Sequence, residues 1–478
     1  MRRLSAPVIL AIGLAGLLLY AYPGYMSYDS VLQLLQARSG VYGGGHPPMM
    51  AVLWGITDRV IAGPFGMLLI QAVCFLGGSY LLLRRCMSDR AAAICASLLL
   101  WFPPVAAVMA VIWKDSQMAA YLVLGTALVL SPRRGVRLVG LSLLSLATAM
   151  RYNALAVTLP LVLLLFVWSP AHRWWQRYAL ALAAWFLVTV TASFVNARLV
   201  DDTEDLHLWH DSLALMDLTG TLRYAPDLSD AALREDLAGT PLIATENIQA
   251  TARGTFPAES IPDKKRKSFG LGKYVRALWV TTHHVFAVPT TDAERAAIAR
   301  AWRQLVLGHS VAYLHHRWRV FKERVHLGDK RIPSGAYIWF TDVSDPASSA
   351  NKLGTTPLPS ALQQRLQAAM LWFGTTSLFR PYVYLLLSLL LVAFSARHRE
   401  ILALVLSGIA NEAALFVLAP TIDYRYSFWL VVATMLVVMM LVAKRTRLAA
   451  TDTRPDGHGG RRATNGHHGH EGHHPRGR

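Results

Sequence analysis

The sequence runs to 478 residues, 54% hydrophobic and only 16% charged, with a formal net charge of +18. That apolarity excludes an ordinary soluble enzyme, and the basic residues fall in short clusters between apolar runs, which excludes a nucleic-acid-binding stripe. The three cysteines, Cys74, Cys86 and Cys95, all lie in or beside apolar stretches and exclude a disulfide framework.

Uncharged runs at 4–22, 60–83, 91–113 and 152–171 set the architecture. A bilayer core about 30 Å thick is crossed by roughly 20 helical residues. Ten apolar segments follow in chain order, at 4–22, 62–83, 91–110, 116–132, 138–150, 153–170, 178–195, 381–396, 400–419 and 427–443. The first begins Met-Arg-Arg but has no small-residue cleavage site before Pro23, so it reads as a retained helix and not a signal peptide. With the N-terminus inside, alternate loops hold fifteen Lys and Arg, against five in the short outer loops. Cytoplasmic loops carry that excess, so both termini are expected inside. The segment 138–150 is short for a span and is expected to start among the arginines before it or to end in a polar cavity.

The expected organisation is an N-terminal module of about seven helices over 1–195, then a mixed-polarity extracytoplasmic domain over 196–365. The C-terminal spans occupy 366–448, and a Gly-, His- and Arg-rich cytoplasmic tail over 449–478 is expected to be disordered. Within the domain, 292–324 is helix-like and 344–359 loop-like; the six histidines of the tail read as solvated. The fold class is therefore an all-α polytopic membrane protein, with the domain inserted before the last three spans.

Chemistry-bearing residues collect in the outer loops. The first holds Asp29 at the head of an amphipathic stretch, 31–38, suited to lie along the membrane surface, with Ser27 or Asp29 available as its cap, and then a His46-Pro47-Pro48 turn. The second is Trp113-Lys114-Asp115, either an interfacial ion pair or a pair facing a polar cavity. The third, Arg151-Tyr152-Asn153, puts an arginine between two apolar helices, where it snorkels or binds an anion. The fourth carries Asp423 and Arg425, which are able to pair with each other. Glu412, inside the ninth apolar segment, needs a partner or a proton. Gly43-Gly44-Gly45 lacks the lysine and helix of a phosphate loop, and there is no HExxH, CxxC pair or GxSxG. The adjacent pairs His283/His284 and His315/His316 point about 100° apart on a helix and read as packing or surface residues.

Taken in order, these loops resemble the GT-C superfamily of membrane glycosyltransferases, in the group of protein mannosyltransferases and aminoarabinose transferases. The resemblance rests on the outer-loop Asp29 heading a surface helix, the His-Pro-Pro turn, Trp-Lys-Asp, Arg-Tyr-Asn and the late Asp-Tyr-Arg-Tyr. It extends to Trp302…Leu307-Gly308-His309…Tyr313-Leu314…Arg317, similar to a helix in the outer domains of such proteins. It covers 1–195 best, the final spans moderately and 196–365 little. It implies a polyprenyl-phosphate or diphosphate sugar donor and an envelope glycan, lipid or protein acceptor on the outer face of a bacterial inner membrane. Asp29 would then be the general base and Asp115 a second acid, orienting the acceptor or holding a divalent cation (Mg or Mn) if one is used. Lys114, Arg151 and Arg425 would seat the phosphate, with His46, Asn153, Asp423 and Glu412 in support. The sequence lacks a Trp-Trp-Asp motif and the acidic pair of the mannosyltransferase first loop. Two other classes fit the same residues. A secondary transporter or flippase would use Arg151 and Glu412 in a permeation path, but the first seven segments show no repeat in the last three; a surface-polysaccharide polymerase or ligase would use the same donors.

Overall fold

A computed structural model describes residues 4–201, 207–254, 282–327, 360–420 and 422–452. The loop-like stretch 344–359 and the tail beyond 452 lie outside them. Every described element is helical, apart from two isolated β-bridges. Each of the ten apolar segments is helix: α1 (Ala6–Ala21), α4 (Phe65–Leu83), α5 (Asp89–Trp101) with α6 (Pro103–Met109), α7 (Lys114–Val129), α8 (Arg134–Met150), α9 (Ala154–Leu165) and α10 (Trp174–Leu199) come first. The last three, with labels continuing past the outer helices below, are α17 (Pro381–Ser395), α18 (Arg399–Leu418) and α19 (Phe428–Asp452). α8 does start among the arginines, at Arg134. Among the described residues four helices are long and apolar enough to cross a bilayer, or five if α5 and α6 count as one broken span.

The outer faces match an apolar solvent. α10 is largely uncovered and leaves Leu182, Phe186, Leu187 and Phe194 exposed. α17 does the same with Leu386, Leu389, Leu390 and Phe394. Apolar rows of this extent facing water would drive association, so they face lipid tails.

The bundle closes through small residues. A Cβ on Gly78 of α4 would lie 2.5 Å from the Leu124 amide nitrogen of α7, and one on Gly140 of α8 would lie 2.6 Å from that of Val129. Glycine lets these backbones touch, as helices in lipid must to gain dispersion contacts.

The break between α5 and α6 is set by Pro103-Pro104. Phe102, held at ψ 122° ahead of a proline, ends α5, and the prolines start α6 across a 71° bend. Short α6 leaves carbonyls orphaned, and Gln71 of α4 donates to those of Met109 (2.7 Å) and Val111 (3.1 Å). Gln117 donates to Gln71 (2.8 Å) and accepts from Tyr121 (2.7 Å), so the buried amides are satisfied within the bundle. This scaffold fixes 110–113 and thereby Lys114.

Between α1 and α4 lie two helices, α2 (Tyr28–Ser39) and α3 (Met49–Asp58); the second is not among the ten apolar segments. A separate outer group has its own core around Leu218, Leu222, Ile248, Phe286 and Ile298. It comprises a π-helical turn (Trp209–Ala214), α11 (Leu215–Tyr224), α12 (Asp230–Asp236), α13 (Ile248–Arg253), α14 (Asp292–Gly308) and α15 (Ser310–Arg324). The helix-like stretch 292–324 is thus two helices broken at His309. α16 (Ala361–Gly374) then leads back to the bundle.

Candidate functional site

The site forms where α2, the start of α7, the α8–α9 turn and the segment before α19 meet. Ser27, not Asp29, caps α2: its hydroxyl accepts from the Ser30 amide while Ser30 accepts from that of Ser27. Ser30 also donates to the Ile112 carbonyl (2.7 Å), and Trp113 Nε1 donates to Ser27 (2.6 Å). The cap therefore pins the second outer loop against the first, and Asp29 remains free to bind elsewhere.

Asp29 meets Arg425, with Nη2 2.7 Å from its Oδ2, across nearly the whole sequence. Arg425 also holds Asp423 at 2.9 Å and lies over the Trp113 ring, 4.6 Å from its centroid. Burial alone would push the Asp29 carboxyl up, but the charges of Arg425, Lys114 and His46 together hold it well below the usual range. Burial raises Asp423 above its ordinary value despite Arg425 beside it.

Lys114 and Asp115 do not pair, contrary to the sequence expectation of an ion pair or a shared cavity face. As consecutive residues of α7 they point about 100° apart. Asp115, 1% exposed, turns inward onto Arg151 Nη1. Arg151 Nε donates to Asn153 Oδ1 (3.0 Å), and its guanidinium covers the Tyr426 ring at 4.4 Å. Lys114 turns the other way and meets His46 Nδ1, and no carboxylate among the described residues lies within ion-pair distance of it. His46 presents Nε2 to Asp29 Oδ1 at 3.8 Å. The Lys114 charge first, then burial, lowers the His46 pKa to about 3, so the imidazole is neutral near pH 7.

Glu412 is a structural partner. Arg324 of α15 reaches it at 2.7 Å, Ser427 donates to it at 3.2 Å, and Asn411 donates to it at 3.1 Å. Asn411 also accepts from Asn153 (3.0 Å), which ties the α8–α9 turn to α18. Arg324 and Asn411 escaped the sequence reading.

A cavity of about 540 Å³ opens beside this network. Lys114, Arg151, His46 and Asn153 line one side, and apolar groups such as Leu213, Leu415 and Leu418 line another. Trp209 and His210 of the outer helices complete it. Of the expected phosphate-binding residues, Lys114 and Arg151 reach the cavity. Arg425, Asp423, Asp115 and Glu412 do not line it; Asp29 lines a narrow cleft behind Lys114. Asp115 is turned onto Arg151, away from the cavity. Among the described residues no three His, Cys, Asp or Glu side chains gather to hold a metal ion, and Asp29 and Asp115 turn to different arginines.

No protein-family model matches the sequence, and no curated protein matches it. Among solved structures there is a similarity to ArnT from Cupriavidus metallidurans bound to undecaprenyl phosphate. The identity is 14%, the TM-score 0.33, and the match covers 93% of this chain and 79% of that one. A likeness at that level assigns neither a fold family nor an activity to this chain.

Proposed function

We propose that the protein is a membrane glycosyltransferase. It moves a sugar from a polyprenyl-phosphate or diphosphate donor to an envelope glycan, lipid or protein acceptor, on the extracytoplasmic face of a bacterial inner membrane. The observation that carries this reading is Lys114, a cation with no carboxylate partner among the described residues, beside Arg151 on the wall of a cavity otherwise largely apolar. A lipid phosphate asks for that combination: fixed cations for the anion and apolar surface for the chain.

In this reading the donor phosphate rests on Lys114 and the free edge of Arg151, whose other nitrogens are held by Asp115 and Asn153. The acceptor hydroxyl attacks the anomeric carbon, and the bond from that carbon to the phosphate oxygen breaks. The phosphate leaves with the bonding electrons, and the configuration inverts. Charge growing on the leaving oxygen is met by cations already in place. The acceptor proton passes to Asp29. Asp29 is a weak base while the charges of Arg425 and Lys114 face it. A phosphate that offsets the Lys114 charge raises its basicity, so the base strengthens as the donor binds. Donor binding also has to open the cleft between Asp29 and the cavity, past His46.

The transporter reading uses Arg151 and Glu412 in a permeation path, and of the two only Arg151 lines the cavity. Glu412 is held by Arg324 and Ser427 and does not line the cavity, so it gives that reading no support.

The test is transfer from a lipid-linked sugar donor in membranes containing the full chain. Lys114→Met is expected to lower transfer on the order of 100-fold or more, as loss of a cation facing transition-state charge does. Asp29→Asn is expected to abolish most of it. Full activity in Lys114→Met removes the phosphate seat; full activity in Asp29→Asn removes the base.

A further inference from the structure

A second charged pocket lies at the other end of the same helices. α7 runs from Lys114 to it, α8 runs back from it towards Arg151, and α9 returns from the site to it. The 16 residues of α7 separate the two by about 24 Å, close to a bilayer core. This pocket, of about 190 Å³, is lined by Arg137, Arg177 and Arg399 among apolar residues such as Val129 and Leu165.

Its charges are not balanced from within. Arg177 (3.1 Å) and Arg399 (2.6 Å) both donate to one acceptor, the Leu164 carbonyl at the end of α9, so two guanidinium groups crowd a single neutral oxygen. Arg137 is only 8% exposed, and its nearest acceptor is the Pro132 carbonyl at 3.4 Å. Arg137 Nε and Arg177 Nε are buried without a hydrogen-bond partner. The one carboxylate in the lining, Glu400, is engaged by Lys444 at 3.4 Å. Helix dipoles compound the imbalance: Arg137, Arg177 and Arg399 all sit within about four residues of the start of their helices, α8, α10 and α18. A helix N-terminus carries partial positive charge and favours anions, so three arginines placed there are mutually unfavourable unless an anion joins them.

We infer that the pocket formed by Arg137, Arg177 and Arg399 binds a phosphate group, that of an anionic phospholipid, in the leaflet opposite the transfer site. On the topology read from the loop charges this is the cytoplasmic leaflet, where basic pockets between helices meet anionic head groups. The phosphate supplies acceptor oxygens to the three guanidinium groups that line the pocket, and the exposed apolar rows of α10 beside it receive the acyl chains. The inference is independent of the transferase reading, since none of its residues touches the cavity at Lys114.

The test is native mass spectrometry of the full chain, released from vesicles of equal phosphatidylglycerol and phosphatidylcholine. The wild type is expected to retain phosphatidylglycerol selectively, and equal retention of the two lipids overturns the proposal. Arg177→Gln with Arg399→Gln is expected to cut that retention about 30-fold, the effect of two basic residues at a membrane surface. Arg85→Gln, an exposed arginine on the same expected side, should leave it unchanged. Equal loss in the two variants would mean a diffuse positive surface and no built pocket. Displacement of the lipid by inorganic phosphate at about 10 mM, a strength that leaves buried pairs little screened, would reassign the pocket to a soluble phosphate and sink the lipid. If the double variant does not fold, Arg177→Gln alone gives the same comparison.

Discussion

Arg425 offers the sharpest test of the site, because it joins the first outer loop to the last. Its guanidinium stands between Asp29 at 2.7 Å and Asp423 at 2.9 Å, and is 10% exposed, against 23% and 22% for the two carboxylates. Replacing it with methionine keeps most of the volume over Trp113 but takes from Asp29 and Asp423 the guanidinium that joins them. Removing one partner of a fully buried pair costs about 3–5 kcal/mol, and partial exposure here brings the expected cost to about 2–3 kcal/mol. That cost belongs mainly to Asp29 and Asp423, which lose the guanidinium between them. Asp29→Asn in the Arg425→Met background should therefore restore about 1 kcal/mol or more, although Asp29→Asn alone destabilises.

The assay is a double-mutant cycle on reversible unfolding of the purified protein in mixed micelles. Additivity within about 0.5 kcal/mol would show that Asp29 and Arg425 do not interact. It would also remove the electrostatic account of why Asp29 is a weak base before donor binding. Arg425→Lys sharpens the result: it keeps the charge but not the fork that reaches both carboxylates, so it should recover only part of the loss.

Three further outcomes follow from the same geometry. Lys114→Met removes the largest influence on His46, so the imidazole pKa should climb from about 3 towards its ordinary value, read by NMR of ring-labelled histidine; a pKa that stays put refutes the contact. In the wild type the depressed His46 contributes stability that is present above the unfolded pKa near 6.5 and is lost as pH falls towards 3. The slope should approach about 1.4 kcal/mol per pH unit and flatten in His46→Gln. Arg324→Met should destabilise by about 3 kcal/mol by stranding Glu412, and Glu412→Gln added to it should recover part of that; unchanged stability in Arg324→Met would mean the pair is not formed.

The helices were legible because an apolar run long enough to cross a bilayer has few alternatives, and the alternation of loop charge placed Asp29, Lys114, Arg151 and Arg425 on one side. The choice of partners was not legible. Lys114 and Asp115 are neighbours in sequence and invite a pairing, yet α7 begins at Lys114 and sends them in different directions. The same 100° argument that kept His283 from His284 would have separated them, had the helix start been known. α3 was hidden because 10 residues are too few for a span, although Pro47-Pro48 before it is a helix-start signal. Asn411 went unnamed although it stands beside Glu412 in an apolar run, where a polar pair is costly and so a signal. Arg324 gave no such signal, because Lys322, Glu323 and Arg319 around it make α15 read as a solvated surface.

Those arginines of α15 explain how a helix outside the bundle bears on the site. Arg317 and Arg324 are seven residues apart, two turns, and so share one face. Arg317 is held by Asp217 of α11 at 2.7 Å and donates to the Ala419 carbonyl at 3.1 Å. Arg324 donates to Ser427 at 2.7 Å and pairs with Glu412. The segment carrying Asp423, Arg425 and Tyr426 thus lies between two contacts from the same helix. Asp217 is itself fixed by Trp302 Nε1 of α14 at 3.0 Å, so the outer core transmits its order to that segment through two fully buried guanidinium groups. A buried charge is costly to strand, so this connection has few alternative arrangements. The last outer loop is short and holds the arginine that faces Asp29, and it keeps that arginine in place because α15 grips it at both ends.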